Sequence, residues 1–314
     1  MRRIGLLSVF LFFFLCASMP YQESTPRNVC EQVYQVPADA VPEWLRADGN
    51  SLDLATRRRY DLLAGKLLSL RIVDGASCPG SGLNPDGSPN ACGLEFAQPM
   101  VNTWQNQYDQ AIQASSLASG VSGKVLKAVI AVESQFWPGA DWNRGEIGLG
   151  QMTEFGADLV LMWRGGVYQG VCRQVFGDGG CKVGYLFQDV QTQRLLRGQL
   201  LRNIDTTCPT CEYGLDIQKG EQAVAVLAES LNASCAQSAR TIAVATGHSP
   251  ASLMSYEDFW RFTLANYHSG SGCMYAALRQ SGNPTNWPGI ASGLPKGCLS
   301  GSAYIRRIEE QIIP

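Results

Sequence analysis

Histidine is nearly absent from this 314-residue chain: there are two, His248 and His268. A single CxxC, Cys208-Pro-Thr-Cys211, stands without a second pair and without a thioredoxin-like βαβ pattern around it. Both shortages argue against a zinc site or a redox centre, since each needs a set of soft or nitrogen ligands that this sequence does not assemble. No metal and no cofactor is therefore expected. Net charge is scarce as well. At a formal −2 the chain offers no attractive field to a polyanion, and Arg57-Arg58-Arg59 reads as a solvated helix face, so no nucleic-acid partner is expected. Beyond the N-terminus no apolar run approaches the roughly 20 residues of a transmembrane helix. Internal repeats and long low-complexity tracts are missing too.

What the chain does have begins with Met1-Arg2-Arg3, an apolar stretch from Ile4 to Leu15, and the small residues Ala17 and Ser18. That is the form of a secretory signal peptide, too short for a convincing span, with cleavage near Ala17 or Ser18. Lipidation at Cys16 is disfavoured by Leu15 in front of it; an uncleaved N-terminal anchor stays open. The cysteines agree with export. There are 11, and loss of Cys16 leaves an even set: Cys30, Cys78, Cys92, Cys172, Cys181, Cys208, Cys211, Cys235, Cys273 and Cys298. An even complement in an exported chain favours disulfides. Short spacings suggest Cys78 with Cys92, Cys172 with Cys181, and Cys208 with Cys211, although order alone does not fix pairing.

With 45% hydrophobic residues the chain has ample material for a core. After a signal peptide at 1–18, residues 19–93 divide into a helical N-terminal region, whose Leu62, Leu63, Leu67, Leu68 and Leu70 supply an apolar face, and a Pro/Gly-rich linker over 76–93. This region is either a separate domain or a set of helices packed on the main domain, and the second arrangement is preferred. That main domain occupies residues 94–314, helical from about Leu94 through Trp104 to Leu117, with further helices at Leu195 to Asn203, Glu221 to Leu231 and Glu257 to Tyr267. Gly165 to Gly184 reads as a loop-like, cysteine-stapled insertion.

The most informative stretch runs from Ser122 to Gln151. Leu126, Val129 and Ile130 recur at the spacing of one helix face, Ser122 is placed to cap the N-terminus, and the next position on that face is Glu133. An acid therefore points where a hydrophobe is expected. A carboxylate buried without a partner tends to stay protonated, the state a general acid needs near neutral pH. The alternatives are a buried ion pair with Arg or Lys, or a rim position that reaches solvent.

From Glu133 the chain reads Glu-Ser-Gln-Phe-Trp-Pro-Gly-Ala-Asp-Trp-Asn-Arg-Gly-Glu-Ile-Gly-Leu-Gly-Gln, and this resembles the soluble lytic transglycosylases, whose pattern is Glu-Ser, Phe-x-Pro, Ala-x-Ser and Gly-x-x-Gly-Leu-Met-Gln. It aligns to Gln151 without a gap. A second segment of that family, Ala-Tyr-Asn-Ala-Gly, is similar to Asn266-Tyr267-His268-Ser269-Gly270. A third, Tyr-Val-x-x-Val, is similar to Tyr304-Ile305-Arg306-Arg307-Ile308. The three blocks keep the family's order and span roughly Ser122 to Ile308, with the stretch from Asp158 to Phe259 uncovered.

The resemblance implies a mainly α, lysozyme-like catalytic domain, to which the residue patterns add a helical N-terminal region and disulfide-stapled insertions. It implies a secreted enzyme of the cell envelope that cuts a β-1,4-linked amino-sugar polymer, above all peptidoglycan between N-acetylmuramic acid and N-acetylglucosamine. Glu133 would be the acid/base, leaving a 1,6-anhydro end, and Tyr267, Gln151, Ser134, His268, Trp142 and Tyr304 would orient it or bind substrate. Tyr267 is the foremost orienting partner. The chain departs from the family where Trp142 replaces Ser, Gly150 replaces Met, and Thr153-Glu154 replace Met-Pro, which touches the sugar subsites more than the acid. Trp142 stacks on a sugar or is an ordinary buried aromatic; Gln151 binds a hydroxyl or stabilises a turn; His268 meets substrate or caps a turn. A hydrolase of the same polymer or of chitin-like chains is the near alternative; a two-carboxylate mechanism would recruit Glu146, Asp141 or Glu154, and a substrate-assisted one, using the sugar's own acetamido oxygen, needs none of them. A non-catalytic wall-binding module is the reading from another class. The oligomeric state is left open.

Overall fold

The computed structural model describes residues 27–47, 51–282 and 284–312, so the expected signal segment and Cys16 lie outside the described residues. The described chain is mainly helical. Its α-helices are α1 (Val29–Tyr34), α2 (Asp61–Ser69), α3 (Ala91–Trp104), α4 (Asp109–Ser119), α5 (Gly123–Glu133), α6 (Glu154–Trp163) and α7 (Gly165–Phe176). The series continues with α8 (Val190–Ile204), α9 (Ile217–Thr246), α10 (Pro250–Leu253), α11 (Tyr256–Ser269), α12 (Ser271–Gln280), α13 (Trp287–Ser292) and α14 (Ser300–Ile312). Pairing between extended segments among the described residues is limited to isolated bridges, two of which, Asp141 with Glu146 and Ile147 with Met152, shape the turn after α5.

The 30-residue α9 is the spine. Its buried Val224, Leu227, Leu231, Ala233 and Ile242 receive α4, α6, α8, α11 and α12 around it, and α1 is fastened to it by the Cys30–Cys235 disulfide. Helix α5 is buried almost all round, every residue from Val125 to Ala131 included, because α4 and α14 cover faces that a surface helix would leave wet. Ser122 holds the N-cap position of α5, but its hydroxyl is buried and has no partner among the described residues, so packing rather than capping starts this helix. Thr153 does cap: its hydroxyl accepts from the Gly156 N–H at 3.2 Å and sets where α6 begins, a contribution of about 1 kcal/mol.

Two readings of the sequence need correction. The helical run expected from about Leu94 through Trp104 to Leu117 is two helices, broken at Gln105–Tyr108. The expected loop from Gly165 is helical through Phe176, since Tyr168, Val171 and Cys172 fall at helical spacing and bury together; glycines at its first two positions hid it. All five disulfides are formed. Cys78–Cys92, Cys172–Cys181 and Cys208–Cys211 pair as their spacing suggests, and Cys30–Cys235 and Cys273–Cys298 complete the set. In the chain-entropy model the Cys30–Cys235 link, which closes 205 residues, stabilises by about 5 kcal/mol against about 2 for the short Cys208–Cys211 link.

Candidate active site

Glu133 is the last residue of α5, and its side chain is 15% exposed. Immediately after it the backbone enters the left-handed region at two non-glycine residues, Gln135 (φ 47°) and Phe136 (φ 65°). Such positions cost on the order of 1–3 kcal/mol each and persist only when the surroundings enforce them. Here Phe136 is fully buried, and the Gln135 side-chain oxygen accepts from the Leu62 N–H at 2.8 Å. The chain is thus forced away from the axis of α5, leaving its C-terminal end facing a cleft of about 180 Å³.

The opposite wall is the turn from Asp141 to Met152. Asp141 and Glu146 exchange backbone hydrogen bonds at 2.8 and 3.1 Å, and Ile147 and Met152 do so at 3.0 and 2.9 Å. Between those rungs Gln151 takes φ 48°, and its side-chain amide donates to the Gly148 carbonyl at 2.8 Å. Gly150 is required by a close approach: a Cβ there would lie 2.9 Å from the Tyr267 hydroxyl. That hydroxyl donates to the Gly150 carbonyl at 2.5 Å. Tyr267 therefore pins the turn, and the partner of its hydroxyl among the described residues is Gly150, not Glu133. Methionine in place of Gly150 would collide with this phenol.

The phenol that faces Glu133 is Tyr304. It is fully buried on α14, and its hydroxyl has no partner of standard hydrogen-bond geometry among the described residues. Burial first, and then the Glu133 charge, raise its pKa well above the ordinary value. His268 lies flat on the Tyr304 ring, centroids 4.3 Å apart and planes within 7°, which holds its Nδ1 3.9 Å from Glu133 Oε1. Burial, followed by the charges of Glu133 and Glu146, also raises Tyr267.

Glu133, Gln151, Tyr267 and His268 line the cleft together, and Tyr304 backs it. Two expected site residues stand elsewhere. Ser134 is 2% exposed and its hydroxyl donates to the Ile130 carbonyl at 3.2 Å, completing the helix end. Trp142 is 65% exposed on the turn and does not line the cleft, so it is not a buried aromatic either. Of the three candidate second carboxylates, Glu146 shares the cleft with Glu133. Its pKa is raised chiefly by burial, against the opposing pull of Arg144 at 3.9 Å, with the charges of Glu133 and Asp141 adding to the rise. Asp141 pairs with Arg144 at 3.6 Å, and Glu154 is an exposed partner of Arg197 at 3.6 Å.

The cleft also takes in Leu159 of α6 and Ser230 of α9, which no local sequence signal marked. Among the described residues no group of three or more His, Cys, Asp or Glu side chains is placed to hold a metal ion. No helix of the described residues is long and apolar enough to cross a membrane. The arrangement provides one mostly buried acid at a cleft, a second carboxylate and an imidazole within its field, and amide and hydroxyl groups around them. That set suits proton transfer to a bound polyol or ether oxygen. Comparison with protein-family models, with curated proteins and with solved structures gives no match.

Proposed function

We propose that this protein is an exported, lysozyme-like glycan-cleaving enzyme, a lytic transglycosylase acting on peptidoglycan, with Glu133 as its acid/base. The observation that carries the reading is a convergence. Three segments of the chain, around Glu133–Gln151, Tyr267–His268 and Tyr304, meet at one carboxylate. These are the segments that resemble that family. Five disulfides fit an oxidising compartment and support export.

In the proposed reaction the protonated Glu133 carboxyl gives its proton to the glycosidic oxygen as the C1–O bond breaks. The resulting carboxylate then takes the proton of the C6 hydroxyl of the same sugar while that oxygen bonds to C1, closing a 1,6-anhydro ring and returning Glu133 to its acid form. No water is consumed. A specific observation favours a second reading: Glu146 lines the same cleft and is a carboxylate with a raised pKa, and this reading gives it the task of taking a proton from a water that attacks C1 instead.

Mass spectrometry of fragments released from purified peptidoglycan, with the Glu133→Gln variant beside the parent, tests both readings. Anhydro-muramyl ends from the parent alone are expected. Reducing ends would establish the hydrolase. Binding without any product from either protein would leave a wall-binding module and end the enzyme reading.

A further inference from the structure

A set of projecting apolar side chains lies where α6, α8 and the loop between α7 and α8 meet. Phe155 is 85% exposed and Phe187 83%, and Val183, Leu186 and Val190 are exposed with them. The three elements are tied to one residue, Asp158 of α6, whose carboxylate accepts from the Tyr185 hydroxyl and, at 2.7 Å, from Arg197 of α8. Phe155 stands one turn before Asp158 on α6, and Leu186 and Phe187 follow Tyr185 directly in a single 3₁₀ turn, Tyr185–Phe187. Val190, Arg194 and Arg197 share one face of α8 at i, i+4 and i+7. The apolar groups therefore belong to one surface, unlike single exposed residues, which need no explanation.

The loop that carries Leu186 and Phe187 is fastened from inside. The Tyr168 hydroxyl donates to the Val183 carbonyl at 2.6 Å, and the Gln188 amide donates to that hydroxyl at 2.7 Å. The Gln193 amide donates to the carbonyls of Tyr185 and Gln188 at 3.2 and 3.1 Å, and the Cys172–Cys181 disulfide anchors the start of the loop. Tyr185 is buried edge-on against Tyr168, so the turn keeps one aromatic inward and holds Leu186 and Phe187 out in water.

Cations accompany these apolar groups. Arg173, Lys182, Arg194 and Arg202 are exposed on α7, the loop and α8, against the exposed acids Asp178 and Asp189, and Asp189 is engaged in capping α8. Arg197 is matched by Asp158 and Glu154. This stretch is positive in a chain whose net charge is −2. Phe and Leu side chains that project, accompanied by Lys and Arg, match the interface of an anionic bilayer, where apolar groups reach the acyl boundary and cations meet lipid phosphates. A folded partner must supply a pocket for each projecting side chain; a bilayer receives them without one.

We propose that this surface docks on a membrane, with Phe155, Leu186 and Phe187 entering the interface of an anionic phospholipid bilayer and Lys182 and Arg194 meeting its phosphates. Thr153 and Gly156, on either side of Phe155, line the cleft, so docking sets the cleft beside the bilayer. The proposal concerns attachment and is independent of what the cleft cuts.

The test is sedimentation of the purified protein with sucrose-loaded vesicles of phosphatidylglycerol mixed with phosphatidylcholine, and with vesicles of phosphatidylcholine alone. Binding to the mixed vesicles, weakened by added salt, is expected. Leu186→Ser combined with Phe187→Ser is expected to lower the partition coefficient by about tenfold or more, the size of losing one buried aromatic side chain. Arg194→Glu is expected to lower it by about tenfold on the mixed vesicles and to leave phosphatidylcholine binding unchanged. All three positions are exposed, so the fold is retained, and melting curves verify it. Fragment release from bilayer-free peptidoglycan is expected to be unchanged in these variants, which separates failure of the docking face from failure of the active site. No binding by the parent, or binding that both variants leave intact, as an uncleaved N-terminal segment would produce, overturns the docking face. A parent that is dimeric in solution and made monomeric by the Leu186→Ser and Phe187→Ser pair assigns the face to a second copy and overturns it equally.

Discussion

Helix α5 carries two ionisable side chains into the interior, Lys127 on one face and Glu133 at its end, and the protein surrounds them in opposite ways. Lys127 is 4% exposed, and its ammonium bonds Asp109 at 2.6 Å and Asn106 at 2.7 Å and stands 5.7 Å from the centre of the Phe136 ring. Burial pushes the Lys127 pKa down and the Asp109 pKa up, and their mutual pairing opposes both shifts. The ammonium is thus engaged within the protein, even though the residue borders a hollow of about 280 Å³ next to Tyr60 and Gln311. Among the described residues Glu133 has the edge of His268 at 3.9 Å and the Tyr304 hydroxyl beside it, and it opens on the cleft. A saturated buried charge is structure. One left with spare capacity beside a cleft is available to move a proton.

That contrast can be broken at either end. The largest expected effect is that of Glu133→Gln, which removes the acid and is predicted to cut release of soluble peptidoglycan fragments by at least about 10²–10⁴-fold. Its melting temperature is expected to stay level or to rise, as replacing a functional group often relieves the fold. Lys127→Met should do the reverse: it strands the Asp109 carboxylate and is expected to cost about 3–5 kcal/mol in denaturant unfolding, with fragment release per folded molecule preserved. Activity lost in step with stability in both variants would erase the distinction.

Smaller effects sharpen it. Tyr304→Phe deletes the hydroxyl that faces Glu133 and is predicted to slow cleavage on the order of tenfold to a hundredfold, the worth of a hydrogen bond to a charged group, with Tyr267→Phe loosening the turn at Gly150 instead. The smallest expected effect is thermal. Glu146 has a raised pKa in the fold, so its ionisation is disfavoured there, and stability is lost as pH rises from the ordinary carboxylate range through that raised value. Glu146→Gln is therefore expected to melt slightly higher than the parent at pH 7 and level with it at about pH 3.5, where the carboxyl is largely protonated in both states. A higher melting temperature at both values would refute the assignment.

Much of this was visible in the residues. The apolar spacing of Leu126, Val129 and Ile130 located α5 and its terminal acid, because helix periodicity is local and strong. The short cysteine spacings pointed to three of the five links, while Cys30–Cys235, across 205 residues, has no local signature. Helix α7 was concealed by Gly165 and Gly166, which weaken propensity without preventing a helix that buries Tyr168 and Val171. The partner of Tyr267 was beyond reach, since it depends on a missing Cβ at Gly150, 117 residues away. Glu146 was only one of three carboxylates in the turn until the paired backbone of Asp141–Glu146 brought it into the cleft. Burial all round α5 was equally hidden, because it is imposed by α4 and α14 from outside.

The central claim is that Glu133 is held on a fully formed scaffold for chemistry and not for stability. Fragment release from peptidoglycan and thermal melting, measured on one preparation of the Glu133→Gln protein, address it directly. The account predicts loss of release with an unchanged or higher melting temperature. Release at the parental rate, or a fall in melting temperature as large as that of Lys127→Met, would contradict it.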